Sequence, residues 1–459
     1  NFTALGIAPF ISYSKIFILD IYFSFLERDL LDSEVSLQDL PEVEPDFFCT
    51  KKEGIALNSY VMDKECPIPE PFTANIGPIL FIAALFLLNF LGRLIFAPLM
   101  PTIEQELGLT HSQAGSLFLM ISLGFFVAQI CSGFISSRIN HKMTLVLSIL
   151  GVGLAQLLFS VTSFLLIIRG LLFMLGMAAG LHMPSAIATI TAMVNRKDWG
   201  KALAVHQMAP PLGLVLGPLL IILLIEWLSW QTILTILGCI SFAVGFVFLR
   251  FGRFGEFSGD APRPAAVKIV ITQWSFWIMV ILFSLAIGGS VGIYSMLNLF
   301  LTNERGFDLT WANTLLGLSR ISGLFMTFVA GWLTDRLGAK IFIFMVILSA
   351  GIATIMLGVL SGAFLVWFIF LQPAIIGCYF AAGFAAIARM VQPNLRSIAT
   401  AFITPTAFLI GGGLIPTAIG FMGEVHSFGL GIVVIGSLLV LASGLVFFIN
   451  LIETIEEGC

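Results

Sequence analysis

The sequence predicts an all-α polytopic membrane protein whose twelve transmembrane helices form two pseudo-symmetric six-helix halves. Three observations lead there. Of 459 residues, 58% are apolar and only 10% charged, and the mean hydropathy of +1.04 lies far outside the range of soluble domains. Apolar runs of about twenty residues recur along the chain, each long enough to cross a ~30 Å hydrocarbon core as a helix. One charged decapeptide occurs twice: GWLTDRLGAK at 331–340 answers a worn copy, GFISSRINHK, at 133–142.

In chain order, residues 1–61 stand apart, holding 10 of the 26 acidic residues and no methionine; Met62 is the first. They read either as upstream sequence that is not translated or as an acidic cytoplasmic extension. They lack the basic start and small-residue cleavage site of a secretory signal. Residues 62–75 form a short N-terminal segment. The apolar runs then place spans at about 76–100, 112–136, 142–162, 164–193, 201–225 and 229–250, a half covering 76–250. The connection at 251–273 is long and rich in Gly, Pro and Arg, as a linker between halves is. A second half at 274–452 holds spans at about 274–301, 309–334, 340–360, 363–388, 397–420 and 428–452, with a tail at 453–459.

Basic residues set the orientation. The loops after spans 2, 4, 6, 8 and 10 carry thirteen Lys and Arg, the alternate loops only Arg305. By the positive-inside rule both termini are expected in the cytoplasm, the membrane being a bacterial inner membrane. Six scattered cysteines, with no C-x-x-C pair, argue for neither a disulfide framework nor a metal site.

The halves repeat beyond the decapeptide. HKMTLVLSILGVG matches AKIFIFMVILSAG, and AVHQMAPPLGLVLGP in span 5 answers AFITPTAFLIGGGLIP in span 11. Two such halves with a site at midplane are the architecture of many secondary transporters. The decapeptide at Gly331, Asp335, Arg336, Gly338 and Lys340 resembles the loop signature of the major facilitator superfamily, and the earlier copy keeps Gly133, Arg138 and Lys142. The resemblance covers 76–452 and implies that superfamily's fold and transport by alternating access, without specifying a substrate. It also implies a gate, with these contacts latching the cytoplasmic side shut. A small residue lets helices approach, and a carboxylate can face a helix N-terminus. Ser137 replaces the acid in the first copy, so Asp335 is expected to carry more of that latch; a loop that only sets topology is the alternative.

Charge inside the spans points to the solute. Arg93, Arg169 and Arg320 fall within them, and no Asp or Glu lies deep in any. A buried arginine normally faces a cavity or a partner, so an electropositive cavity and an anionic solute are expected. Arg93 and Arg320, one from each half, are the proposed pair, since the guanidinium fork suits a carboxylate or oxyanion. Asn89 lies one turn from Arg93 and Asn298 one turn from Tyr294, completing the candidate substrate site. Backbone carbonyls at helix breaks are the alternative partners, and Arg169 reads as structural. His182 and His206 are candidate proton sites, with packing the alternative. Gly213, Gly217 and Pro218 read as a close helix-packing core.

That Gly–Pro core resembles part of a motif of drug and proton antiporters and keeps open a second function, proton-driven export of an apolar or cationic compound. A membrane sensor without transport is the alternative of another class. No phosphate-binding loop, metal-ligand cluster or Ser/His/Asp constellation lies in a loop able to hold an active site. Neither enzyme activity, a cofactor nor a nucleic-acid partner is therefore expected. The expected partners are a small-molecule substrate and the lipid bilayer, the protein acting as a monomer.

Overall fold

The computed structural model describes residues 72–450, less 253, 260–263 and 393–394. All belong to a compact unit spanning Pro69–Cys459. The expectations for 1–61, most of 62–75 and the 453–459 tail lie outside the described residues.

Ten helical stretches are long and apolar enough to cross a membrane. They are α1 (Ile76–Leu107), the continuous stretch His111–Ser160, α4 (Leu165–Met193), α5 (Trp199–Leu224), α6 (Trp230–Phe251), α7 (Trp274–Glu304), α9 (Ala339–Val359), α10 (Gly362–Met390), α11 (Arg396–Val425) and α12 (Phe428–Phe448). The stretch His111–Ser160 reverses at Asn140, where φ 67 and ψ 167 end α2 (111–139) and start α3 (141–160). The 29-residue helix Leu309–Leu337 is α8. The described residues thus make twelve passes, with a short linker helix, Pro264–Ile271, between the halves. Spans ran within a few residues of the sequence expectation, except that α1 continues to Leu107 and carries Glu104 and Glu106.

Antiparallel passes put the basic loops at one end, the basic end. At the opposite, far end, helices start on capping side chains. Thr110 and Gln113 form a capping box on α2, and Ser229, Asp308 and Ser427 cap α6, α8 and α12. Large apolar side chains such as Leu154, Leu166, Trp367 and Leu441 stay exposed, which suits a surface bathed by lipid rather than water.

Helix irregularities cluster at mid-depth, and proline explains those of the first half. Breaks at Ile95, Leu181 and Met208 precede Pro98, Pro184 and Pro210, whose rings clash with the preceding turn and donate no N–H. The second half instead inserts π-turns at Gly288–Gly292 in α7 and Ile410–Leu414 in α11. There a Cβ on Gly411 would run into the Ser284 carbonyl and the Gly288 nitrogen, so the two helices cross backbone to backbone.

The repeated decapeptide has a shared backbone purpose. Gly338 (φ 79, ψ 144) turns the chain between α8 and α9, as Asn140 does between α2 and α3. Asn140 Oδ1 accepts from the Met143 N–H at 2.9 Å, which caps α3 in place of the missing glycine. Replacing Gly338 by alanine should therefore cost about 1–3 kcal/mol of stability, since that backbone region is all but closed to a Cβ. Thermal unfolding in detergent checks this; an unchanged transition would mean the loop takes another conformation. Arg138 is exposed, and Arg336 lies over the Trp332 ring at 4.2 Å. A Cβ on Gly331 would meet nothing within 4 Å. The linker docks on the first copy: Lys142 N–H donates to the Gly255 carbonyl at 2.8 Å, and Lys142 Nζ pairs with Glu256 at 2.9 Å.

Four hydrogen bonds between the halves occur among the described residues, all toward the far end. Ser112 N–H donates to Glu424 (3.1 Å), and Thr417 to the Gly115 carbonyl (3.2 Å). Asn298 donates to the Pro98 carbonyl (3.3 Å), and Tyr294 to the Leu214 carbonyl (3.4 Å).

Candidate functional site

A cavity of about 30 Å³ lies between the halves at mid-depth. From the first half it is lined by Arg93, Phe118, Ile121 and Ser122, and from the second by Val291, Ser295, Phe408 and Gly412. The repeat explains its make-up. Gly133 matches Gly331, a shift of 198 positions, and the same shift takes Arg93 to Val291 and Ser122 to Arg320. The cavity is thus built around the symmetry axis, but charge has been kept on one side of it.

Arg93 is 8% exposed. Its guanidinium carbon lies 4.4 Å from the centre of the Phe125 ring, 5.1 Å from that of Phe90 and 5.9 Å from that of Phe408. Phe125 and Phe408 themselves touch across the two halves, with centroids 5.3 Å apart. This aromatic clasp joins the halves beside the cavity. Arg93 Nε has no hydrogen-bond partner. Ion pairs among the described residues join Glu104–His111, Lys142–Glu256, Lys201–Asp198 and Glu304–Arg305, none of them reaching Arg93 or Arg320.

Arg320 is 6% exposed, and its guanidinium carbon lies 4.8 Å from the centre of the Tyr294 ring, again with Nε unpartnered. It does not line the cavity. Tyr294 carries the contact onward, since its hydroxyl reaches the Leu214 carbonyl of α5. Asn89 and Asn298, expected beside these arginines, turn elsewhere. Asn89 donates to Ser148 of α3 at 2.8 Å. Asn298 donates to Asn313 Oδ1 at 2.6 Å and to the Pro98 carbonyl. Arg169 donates to Ser116 at 3.3 Å within the first half.

Gly213 and Gly217 hold α5 against α1. A Cβ on Gly213 would press on the Phe90 ring at 2.8 Å, and one on Gly217 would stand 3.6 Å from the Tyr294 hydroxyl. Pro218 lies on the α5–α8 contact, 3.4 Å from a Cβ built on Gly317. His182 and His206 meet each other, Nε2 to Nε2 at 3.3 Å.

The sequence profile of the Major Facilitator Superfamily matches residues 82–416. The chain is 23% identical over 275 residues to a protein named probable sulfoacetate transporter SauU of Cupriavidus necator, covering 55% of this chain and 63% of that one. It matches the membrane sensor protein UhpC of Escherichia coli at the same identity and coverage. With a protein named D-galactonate transporter of Escherichia coli it shares 22% over 376 residues, 73% of this chain and 86% of the other. Its fold is similar to a bacterial homolog of the human lysosomal transporter Spinster, crystallised inward-facing and occupied. That likeness has a TM-score of 0.71 at 16% identity, over 83% of this chain and 97% of that one. A POT family transporter gives 0.68 at 14% identity, over 83% and 98%. With its twelve passes, its repeated halves and a profile match over most of its length, the chain belongs to the Major Facilitator Superfamily.

Proposed function

We propose that this protein carries a small anionic solute across the bacterial inner membrane by alternating access, as a monomer with its basic end in the cytoplasm. Arg93 is the observation that carries this reading. A cation buried at mid-depth costs ~2.5–3.5 kcal/mol to insert, of which ring faces return about 0.5–2 kcal/mol. No carboxylate among the described residues supplies the rest, and an anion in the cavity does. Ser122, with a side chain lining the same cavity, adds a hydroxyl donor for an oxyanion. The names of similar proteins point the same way, since sulfoacetate, galactonate and hexose phosphate are all anions. Arg320 with Tyr294 is the second cation of the path. Gly133, Arg138, Gly331, Asp335, Arg336, Gly338 and Lys340 form the two loops that close the cytoplasmic side when the halves rock.

Similar proteins include membrane sensors, so binding and movement have to be measured separately. The full chain is screened for thermal stabilisation by sulfoacetate, D-galactonate, glucose 6-phosphate and tetraphenylphosphonium, then tested for uptake into proteoliposomes. A ligand present at a hundred times its Kd stabilises the folded state by about 2.7 kcal/mol. The expected result is stabilisation by anions alone and uptake of the same anions. Stabilisation by the lipophilic cation alone would favour the export reading, and anion binding without uptake the sensor reading.

A further inference from the structure

His182 and His206 sit at two of the three proline-driven breaks of the first half. His182 directly follows Leu181 in α4, and His206 is two residues before Met208 in α5. Both side chains are fully buried. Their Nε2 atoms lie 3.3 Å apart, and neither Nδ1 has a hydrogen-bond partner. Phe86 of α1 stacks on both rings, 5.0 Å from His182 and 4.6 Å from His206 and within 8° of parallel. Phe86 also meets Phe90 edge-on, and Phe90 is one of the rings against Arg93.

We propose that His182 and His206 form a site for a single proton, linked to the anion on Arg93, so that solute and proton cross together. This rests on the anion reading given above. In the neutral pair one ring carries its hydrogen on Nε2 and donates it to the bare Nε2 of the other, whose own hydrogen is on Nδ1. The donor ring therefore has a bare Nδ1. An added proton bonds there, and the resulting imidazolium still donates through Nε2 to its neutral partner, a stronger charge-assisted bond. A second proton would set two N–H groups head to head at 3.3 Å and part the rings. The pair therefore takes one proton and stops.

The surrounding charges make that proton depend on the solute. From α1, the charged group is Arg93, linked to the pair through the Phe90 and Phe86 rings. From α2 and α3, His141 is directed to Ser185, 3.3 Å from its Oγ, and Lys142 pairs with Glu256. On α5, Lys201 is tied to Asp198 at 2.9 Å, and on α4, Arg169 bonds Ser116. No carboxylate among the described residues bonds either imidazole. A proton on the pair and an empty Arg93 repel each other. An anion on Arg93 removes that repulsion, and the linkage is reciprocal: each ligand favours the other by the same factor.

Isothermal calorimetry on the full chain, with sulfoacetate and D-galactonate as probes in buffers of different ionisation heat, counts protons taken up per anion. Wild type should take up part of one proton at mildly acid pH and bind about tenfold more tightly there than at neutrality, the size of an ordinary coupling. H182Q and H206Q should bind with no proton uptake and no pH dependence. They should retain solute exchange in proteoliposomes but lose uptake driven by an acid gradient. Retained exchange shows that the variants are folded. Anion binding by wild type without proton uptake, or unchanged proton uptake in both variants, overturns the site. Failure of every probe anion to bind refutes the anion reading instead. Titration of the ¹⁵N-labelled imidazoles of the solute-free protein then still decides the proton site. One proton shared by the pair supports it; two protons, or none across the mildly acid range, overturn it.

Discussion

Arg93→Gln should weaken binding of an anionic solute about 30-fold or more, because losing one partner of a buried charge pair costs at least ~2 kcal/mol. The same substitution should leave the solute-free protein at least as stable, since it removes a guanidinium whose Nε is already unpartnered and whose burial is paid for only in part by three rings. Opposite effects on affinity and stability mark a binding residue and not a structural one. Arg93→Lys should fall between, keeping the charge while losing the planar fork that grips two oxygens. Arg320→Gln tests position against charge. Arg320 is as buried as Arg93 but faces Tyr294 outside the cavity, so its loss should weaken binding less and slow transport more, through the Tyr294 contact to α5. Calorimetry for affinity and initial uptake rates separate the two. Full affinity in Arg93→Gln would remove the central observation behind an anionic solute.

The spans and the repeat were legible because each is imposed locally, whereas the signature marked Gly338 without announcing the positive φ that makes its turn. A bilayer demands an apolar run of fixed length, and a positive φ demands glycine or an asparagine that can cap, as at Asn140. What stands opposite a side chain is not local. Asn89 and Arg93 share a face by their spacing, yet α1 touches α3 as well as the cavity, and Asn89 spends its amide on Ser148. Tyr294 and Asn298 part in the same way, one toward Arg320 and one toward Asn313. The histidine pair was invisible as a pair, because 24 positions and the connection between α4 and α5 separate its members. Pro184 and Pro210 follow the breaks at which the two imidazoles sit, but nothing in their positions says that the breaks bring the imidazoles together. The aromatic clasp was hidden by abundance: with 44 phenylalanines in the chain, nothing singles out Phe125 and Phe408 until their helices are in place. The π-turns had no sequence signal beyond glycine, which reads equally as helix packing.

Gly176→Val should leave little folded protein, while Gly170→Val on the same helix should be nearly neutral. The two substitutions change helix propensity alike, so the contrast isolates packing. A Cβ at Gly176 would run into the Ile121 carbonyl of α2, and one at Gly124 into the Phe173 carbonyl of α4. The obstacle is backbone on both sides, which cannot rotate aside as a side chain can. At Gly170 a Cβ meets nothing within 4 Å. Overpacking a tight contact typically costs 1–3 kcal/mol, and here relief requires moving one helix off another. In a bilayer, where no hydrophobic force drives helices together, such small-residue contacts supply much of the association. Size-exclusion profiles and thermal unfolding of the two variants provide the comparison. The result bears on the site as well as on stability, because Ile121 and Ser122 line the cavity. The α2–α4 crossing fixes their distance from Arg93. If Gly176→Val unfolds no more readily than Gly170→Val, α2 is not held that closely, and the placement of Ser122 beside Arg93 falls with it.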